Sequence, residues 1–416
     1  MTEPPAADAQ LLRRCLLHLG AALLAGGRSV HDTELELQLV GTALGAPAVQ
    51  VAAAPTGVFV TLGPGSSAAF QQVGPALRFD QLDEVERLPD ALVDGRITAQ
   101  QAVTRIDEIL QRPSRVPVWV SAPALVLVGA GIALILQPAT SSIVVSALGA
   151  GVTSTLMVLS GRSTLLRTLL PIVAAFLVAV GVLLLGEAGL VEGPLRTMLG
   201  SIAVLLPGSL LVTGMSELAA GAMVAGSSRL TYGLVQLLLF TLGVLGAARV
   251  VGVGPDALAN VRAAELGWWA PWLGVLLVGI GVCYNVSAPR GALPWVWLVL
   301  LLTLGAQLGG QAVQGAPLGG LLGGIVAAFV ATVVQRIASG PPLMVVFLPS
   351  FWLLVPGSLG LLGTTRLAVA PGDGARVAVA AVVVIVAIAL GVLVGSTFGR
   401  AAERLLDRRR RLALDI

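Results

Sequence analysis

From residue 118 the chain runs as a series of apolar stretches of about twenty residues, each long enough as a helix to cross a hydrocarbon core of about 30 Å. Ten are predicted, at 118 to 136, 142 to 160, 165 to 185, 196 to 215, 229 to 250, 269 to 287, 292 to 311, 316 to 337, 343 to 363 and 376 to 399. Before residue 115 the pattern is shorter and mixed. Residues 8 to 26 and 30 to 45 read as amphipathic helices, and Val49 to Ala54 and Val58 to Leu62 as strands joined at Pro55-Thr56-Gly57. Thr98 to Gln111 reads as a helix, opened by Thr98 and Gln101 at capping-box spacing. The expected fold is an all-α polytopic membrane protein with a small α+β cytosolic N-terminal domain over 1–115 and a basic cytosolic tail over 401–416.

Composition narrows the class. An apolar content of 56%, a mean hydropathy of +0.92 and only 11% charged residues exclude an ordinary water-facing globule. The net charge of +3 comes from arginine, since the chain has no lysine, and the arginines gather at the ends of apolar runs. That placement suits membrane topology and not nucleic-acid binding. Arg105, Arg112 and Arg115 precede the first run, Arg162 and Arg167 follow the second, and Arg229 precedes the fifth. Arg290 and Arg336 follow the sixth and eighth, and the cluster from Arg400 to Arg411 falls on the same side. By the positive-inside rule both termini are cytoplasmic, against a smaller opposite set of Arg196, Arg249, Arg262, Arg366 and Arg376. Arg13-Arg14 ahead of Leu16 to Gly26 resembles a twin-arginine signal, but His18 interrupts the run and no cleavage site follows, so a signal peptide is not expected.

An internal repeat organises the membrane part. Leu206-Pro207-Gly208-Ser209-Leu210 recurs as Val355-Pro356-Gly357-Ser358-Leu359, an offset of 149 (356 − 207). Trp119 maps at the same offset onto Trp268, and Pro171 onto Gly320. Each copy then holds five predicted helices, over 116–260 and 261–400. An odd number of crossings makes the second copy enter from the opposite face, so ten helices form two inverted five-helix repeats, a recurrent plan of secondary transporters.

The Pro-Gly pairs interrupt apolar runs, where proline costs a helix about 3 kcal/mol and glycine about 1 kcal/mol more. Broken helices free backbone polar groups at membrane depth, which is tolerated where they line a cavity. Pro207, Gly208, Ser209, Thr213, Pro356, Gly357 and Ser358 are therefore the candidate substrate-binding residues; the alternative is a pair of packing kinks. Glu217 is the most plausible acidic group near the pathway, as proton carrier or ligand for a substrate ammonium, or else a rim residue paired with Arg229. Arg229, Asn285, Gln307 and Gln311 are candidates to line the path, with interhelical hydrogen bonding the competing role for the amides. Gly305/Gly309, Gly320/Gly324 and Gly391/Gly395 have the spacing of close helix packing.

These residues carry a resemblance. Leu16-His18-Leu19-Gly20 to Gly27, Glu34-Leu35 to Gly45, and above all Leu206-Pro207-Gly208 continued by Thr213, Glu217-Leu218, Gly221, Gly226 and Arg229 are similar to segments of the threonine/serine exporter family. Glu217 stands where that family's aspartate is expected, and Ala222 at an acidic position. The resemblance implies proton-driven export of threonine and serine across the cytoplasmic (inner) membrane. Its partners would be an amino-acid substrate, protons and the lipid bilayer, with no cofactor and no nucleic acid; a homo-oligomer is left open.

Read without it, the residues reach only a secondary transporter. No GxxxxGK[ST] loop is present to supply ATP drive. A small dicarboxylate such as succinate is the alternative substrate, for which a cationic site would be expected. An enzyme or sensor built on the N-terminal domain is the alternative of another class. His18 and His31 with Asp32, Glu34 or Glu36 could serve acid–base chemistry, and Cys15 and His18 have C-x-x-H spacing. No nucleophile motif or second ligand pair accompanies them, and Cys283 is too far from Cys15 in sequence to suggest a framework.

Overall fold

The computed structural model describes residues 6–337, 340–354 and 356–414. Its chain divides into two compact units. One comprises the residues up to Arg115 together with Glu217–Arg229, and the other comprises Val116–Ser216 and the chain from Leu230 onward.

The first unit is α+β. Helix α1 (Ala6–Ala25) places Leu12, Leu16, Leu19 and Leu23 on one stripe, and all four are buried. Helix α2 (Val30–Ala43) starts at Ser29, whose hydroxyl accepts the Asp32 N–H at 3.1 Å. Strands β1 (Gln50–Ala54) and β2 (Gly57–Thr61) form the expected hairpin, each bound within a residue of its predicted place. A third strand, β3 (Ala69–Gln72), pairs antiparallel with β2, so that Phe59 lies opposite Phe70 with ring centroids 4.6 Å apart. Helices α3 (Phe79–Val85) and α4 (Leu88–Val93) follow. Helix α5 (Ala99–Gln111) opens with the predicted capping box, Gln101 N–H to Thr98 Oγ1 at 3.2 Å and Thr98 N–H to Gln101 Oε1 at 2.9 Å. It buries Ala102, Val103, Ile106 and Ile109.

The second unit is helical: α6 (Val118–Leu136), α7 (Thr140–Ser160), α8 (Thr164–Glu187), α9 (Pro194–Ile202), α10 (Gly208–Ala219), α11 (Met223–Val251), α12 (Ala270–Asn285), α13 (Ala292–Val334), α14 (Leu343–Leu354), α15 (Pro356–Val369) and α16 (Pro371–Leu414). Among the described residues seven helices are long and apolar enough to cross a membrane, which makes the chain a multi-pass α-helical membrane protein. The difference from ten predicted runs has three sources. The run at 196 to 215 is bent by 69° between Pro194–Leu205 and Gly208–Ala219. Helix α12 has only 16 residues. The runs at 292 to 311 and 316 to 337 are two helical stretches of Ala292–Val334 that count together as one but meet at a kink where Gln314 and Gly315 are not helical; Gly315 has φ of 74°, which glycine adopts without a Cβ clash.

Small residues set the helix packing. A Cβ on Gly131 of α6 would lie 2.5 Å from the Gly274 carbonyl oxygen of α12, and one on Gly274 equally close to the Gly131 oxygen. Gly281 meets Ala124 in the same interface, and Asn285 Nδ2 donates to the Ser121 carbonyl at 3.0 Å. Rising numbers in α6 thus meet falling numbers in α12, and the two run antiparallel. Gly320 and Gly324 of α13 and Gly391 and Gly395 of α16 press their helices together, as their spacing predicts. Gly309 faces open space, so the third glycine pair does not serve this purpose.

Candidate functional site

The first break is built from local chemistry. After α9 a single 3₁₀ turn (Ala203–Leu205) closes with the Leu206 N–H on the Ala203 carbonyl at 3.2 Å. Leu206 then takes φ −66° and ψ 138°, the extended conformation favoured before proline. Pro207 offers no N–H, and Gly208 starts α10. Pro207 and Gly208 are buried, and Ser209 and Thr213 half-buried, on a helix that leaves the axis of α9 by 69°. The second Pro-Gly pair opens α15, next to the undescribed Val355, within a stretch Leu343–Val369 that counts as one apolar span. Val355 and the side chains of Pro356, Gly357 and Ser358 lie outside the described residues, as do the arginine side chains of the tail beyond residue 402.

Glu217, near the end of α10, is 2% exposed. Its Oε2 accepts from Arg229 Nε at 2.9 Å, and its Oε1 accepts the backbone N–H of Val30 at 3.0 Å. Both carboxylate oxygens are therefore engaged, one by a cation and one at the N-terminus of α2, where unpaired N–H groups and the helix dipole favour an anion. Pairing with Arg229, the rim alternative, is present. The bond to Val30 spans 187 residues and has no signature in the sequence.

The remaining predicted residues scatter. Asn285 ties α12 to α6, as an interhelical bond. Gln311 is exposed, while Gln307 is half-buried with an Oε1 that has no partner among the described residues. Gln307 sits beside Leu354, the last residue of α14, since both line the space next to Gly323. Two further buried hydroxyls, on α14 and α15, were not singled out from the sequence. Ser350 and Thr365 are buried, and their oxygens lack partners among the described residues. The sequence signal of Ser350 is a lone hydroxyl in an apolar run, which it shares with Thr303 and Thr332, whose hydroxyls donate to carbonyls four residues back at 2.7 and 2.8 Å. A groove of about 690 Å³ between α6 and α7, lined by Trp119, Pro123, Val126 and Val158, is open and apolar, the character of a lipid-facing surface.

The N-terminal unit holds a buried charge cluster. Arg28 pairs with Glu36 at 3.1 Å and with Glu86 at 3.6 Å. Burial pushes the Glu86 carboxyl above its usual range, and Arg28 only partly opposes it. For Arg28 burial works downward, but Glu86, Glu36 and Asp32 prevail and raise its value. Cys15 is buried and its thiol is pushed up to about 12 by burial, the opposite of a reactive thiolate. His31 is exposed and His18 half-buried, and among the described residues no three His, Cys, Asp or Glu side chains group as a metal site.

A family model described as "Putative threonine/serine exporter" matches residues 14–251. A protein of Mycobacterium tuberculosis (strain ATCC 25618 / H37Rv), named "Probable threonine/serine exporter", is 28% identical over 222 residues, 50% of this chain and 41% of that protein. "Pheromone-regulated membrane protein 10" of Debaryomyces hansenii is 24% identical over 271 residues, 62% of this chain and 26% of that protein. The chain thus spans less than half the length of either relative. No solved structure matches it.

Proposed function

The chain belongs to the threonine/serine exporter family, and on that premise we propose that it is a secondary active transporter exporting threonine and serine across the cytoplasmic membrane, driven by the proton gradient. The observation that carries the reading is the break at Leu206–Pro207, where an apolar helix of the membrane unit turns by 69°. Such a break offers helix-end dipoles and carbonyls to a zwitterionic solute without placing a bare charge in hydrocarbon.

Ten crossings in two inverted repeats remain part of the proposal, and several features support them. Pro194 and Leu343, at which the two apolar stretches begin, are 149 residues apart (343 − 194). Gly243 of α11 meets the Ile172 carbonyl of α8, and Gly391 of α16 meets the Leu321 carbonyl of α13, 148 and 149 residues on (391 − 243 and 321 − 172). The leading helices of the two halves, α6 and α12, face each other antiparallel, as a two-fold axis in the membrane plane would require. In this scheme Pro207, Gly208, Ser209 and Thr213 flank the substrate with Pro356, Gly357 and Ser358. Glu217 carries the proton or meets the substrate ammonium, Arg229 is its counter-ion, and Gln307 lines the path beside the second break. Both termini are cytoplasmic.

Proteoliposomes loaded with labelled threonine, serine or succinate test the substrate. Efflux of the two hydroxylated amino acids and retention of succinate is the expected result. Efflux of succinate alone would replace this assignment with a dicarboxylate exporter.

A further inference from the structure

The connection between α10 and α11 is a piece of the membrane chain that groups with the N-terminal unit. Glu217–Arg229 clusters with the residues before Val116, whereas Ser216 and Leu230 on either side cluster with the helices. Three features hold it there. Glu217 accepts from Val30 and from Arg229 at 3.0 and 2.9 Å. Ala225 is 3% exposed within the core formed by Leu16, Leu23, Val30 and their neighbours. The Ala222 N–H returns to the Glu217 carbonyl at 2.8 Å, so the turn and the carboxylate are fixed together. The N-terminus of α2 is itself pinned: Ser29 caps it, and Arg28 just before Ser29 is held by Glu36 and Glu86.

We propose that this segment is a clasp through which the N-terminal unit regulates the broken helix α10, with the Val30 N–H and the Arg229 guanidinium as positioning groups that hold Glu217 in a resting state. At 2% exposure and bonded on both oxygens, the carboxylate is closed to a substrate ammonium, and its leaving the Val30 N–H is the step that frees the end of α10. The consequence for transport rests on the exporter reading; the clasp itself rests on the geometry of Glu217.

Val30→Pro isolates the bond. Proline is well accommodated at the first position of a helix, where its missing N–H has no intrahelical partner, and Ser29 at φ −65° and ψ 153° already has the conformation that precedes proline. Val30→Ala keeps the donor and accounts for the trimmed side chain. In the full-length protein in lipid nanodiscs, hydrogen exchange across 217–229 is expected to quicken about tenfold in Val30→Pro relative to Val30→Ala, and threonine efflux to rise severalfold. A merely structural bond would lower efflux or leave it alone. Equal exchange in the two variants overturns the clasp, and faster exchange with unchanged or slower efflux overturns its regulatory role. If Val30→Pro does not fold, Glu217→Gln, which removes the charge from both contacts, serves for the exchange measurement with the same expected direction. Absence of efflux from the intact protein would sink the exporter reading, and the exchange comparison would still decide the clasp.

Discussion

The two Pro-Gly-Ser-Leu segments sit in different surroundings. Around the first, the Ser201 and Ser216 hydroxyls donate to the carbonyls of Ser146 and Ala389 at 3.3 and 3.5 Å, and the helix ends on the paired Glu217. The positions 149 residues on are Ser350, Thr365 and Arg366. There the two hydroxyls are buried without partners among the described residues, and a half-buried cation stands where the first break has its acid. A buried polar group left unpaired costs about 1–3 kcal/mol. The first Pro-Gly segment is therefore anchored, while Ser350 and Thr365 near the second keep hydrogen-bonding capacity in reserve.

The largest expected effect concerns the anchor. Arg229→Gln leaves a carboxylate that is almost fully buried without its cation and should destabilise the protein by about 3–5 kcal/mol. Arg366→Gln at the corresponding place should stay within about 0.5 kcal/mol. Thermal unfolding of both variants in lipid measures this, and equal losses would erase the contrast. A smaller effect separates the hydroxyls. Ser201→Ala should cost about 1 kcal/mol, whereas Ser350→Ala and Thr365→Val should be neutral or stabilising while weakening threonine transport. If either of the latter two destabilised the fold as Ser201→Ala does, the surroundings of the second Pro-Gly segment would be no more open than those of the first.

The smallest effect is one of pH, and it belongs to the unit that contains Glu217. Burial raises Glu86 above its ordinary value of 4.5, so the folded protein keeps this proton to higher pH than the unfolded chain. The corresponding stability is fully present below the ordinary value and is lost as pH rises through the raised one. Glu86→Gln should flatten that decline, read as unfolding of the N-terminal unit across pH. An unchanged slope would show that Glu86 is not its source.

Periodicity accounts for what could be read in advance. Helix α1 follows from leucines that repeat along one stripe, and α6, α7, α8 and α11 from uninterrupted apolar length. Strand β3 was not legible, because four residues have no measurable period and its place is set by pairing with β2. The break at Pro207 was legible because proline in an apolar run has few other outcomes, and the Glu217–Arg229 pair because two opposite charges flank one short turn. The bond from Val30 to Glu217 was not, since it depends on where α2 begins in space. Nor could Ser350 be told from Thr303: one hydroxyl finds a carbonyl four residues back and the other does not.

A proton-driven exporter with Glu217 at its moving helix is tested most directly by threonine efflux from proteoliposomes, with and without an imposed proton gradient, for the intact protein and Glu217→Gln. Gradient-stimulated efflux by the intact protein, reduced in Glu217→Gln to the level seen without a gradient, is the predicted result. Efflux indifferent to the gradient, or equally stimulated in Glu217→Gln, would contradict it.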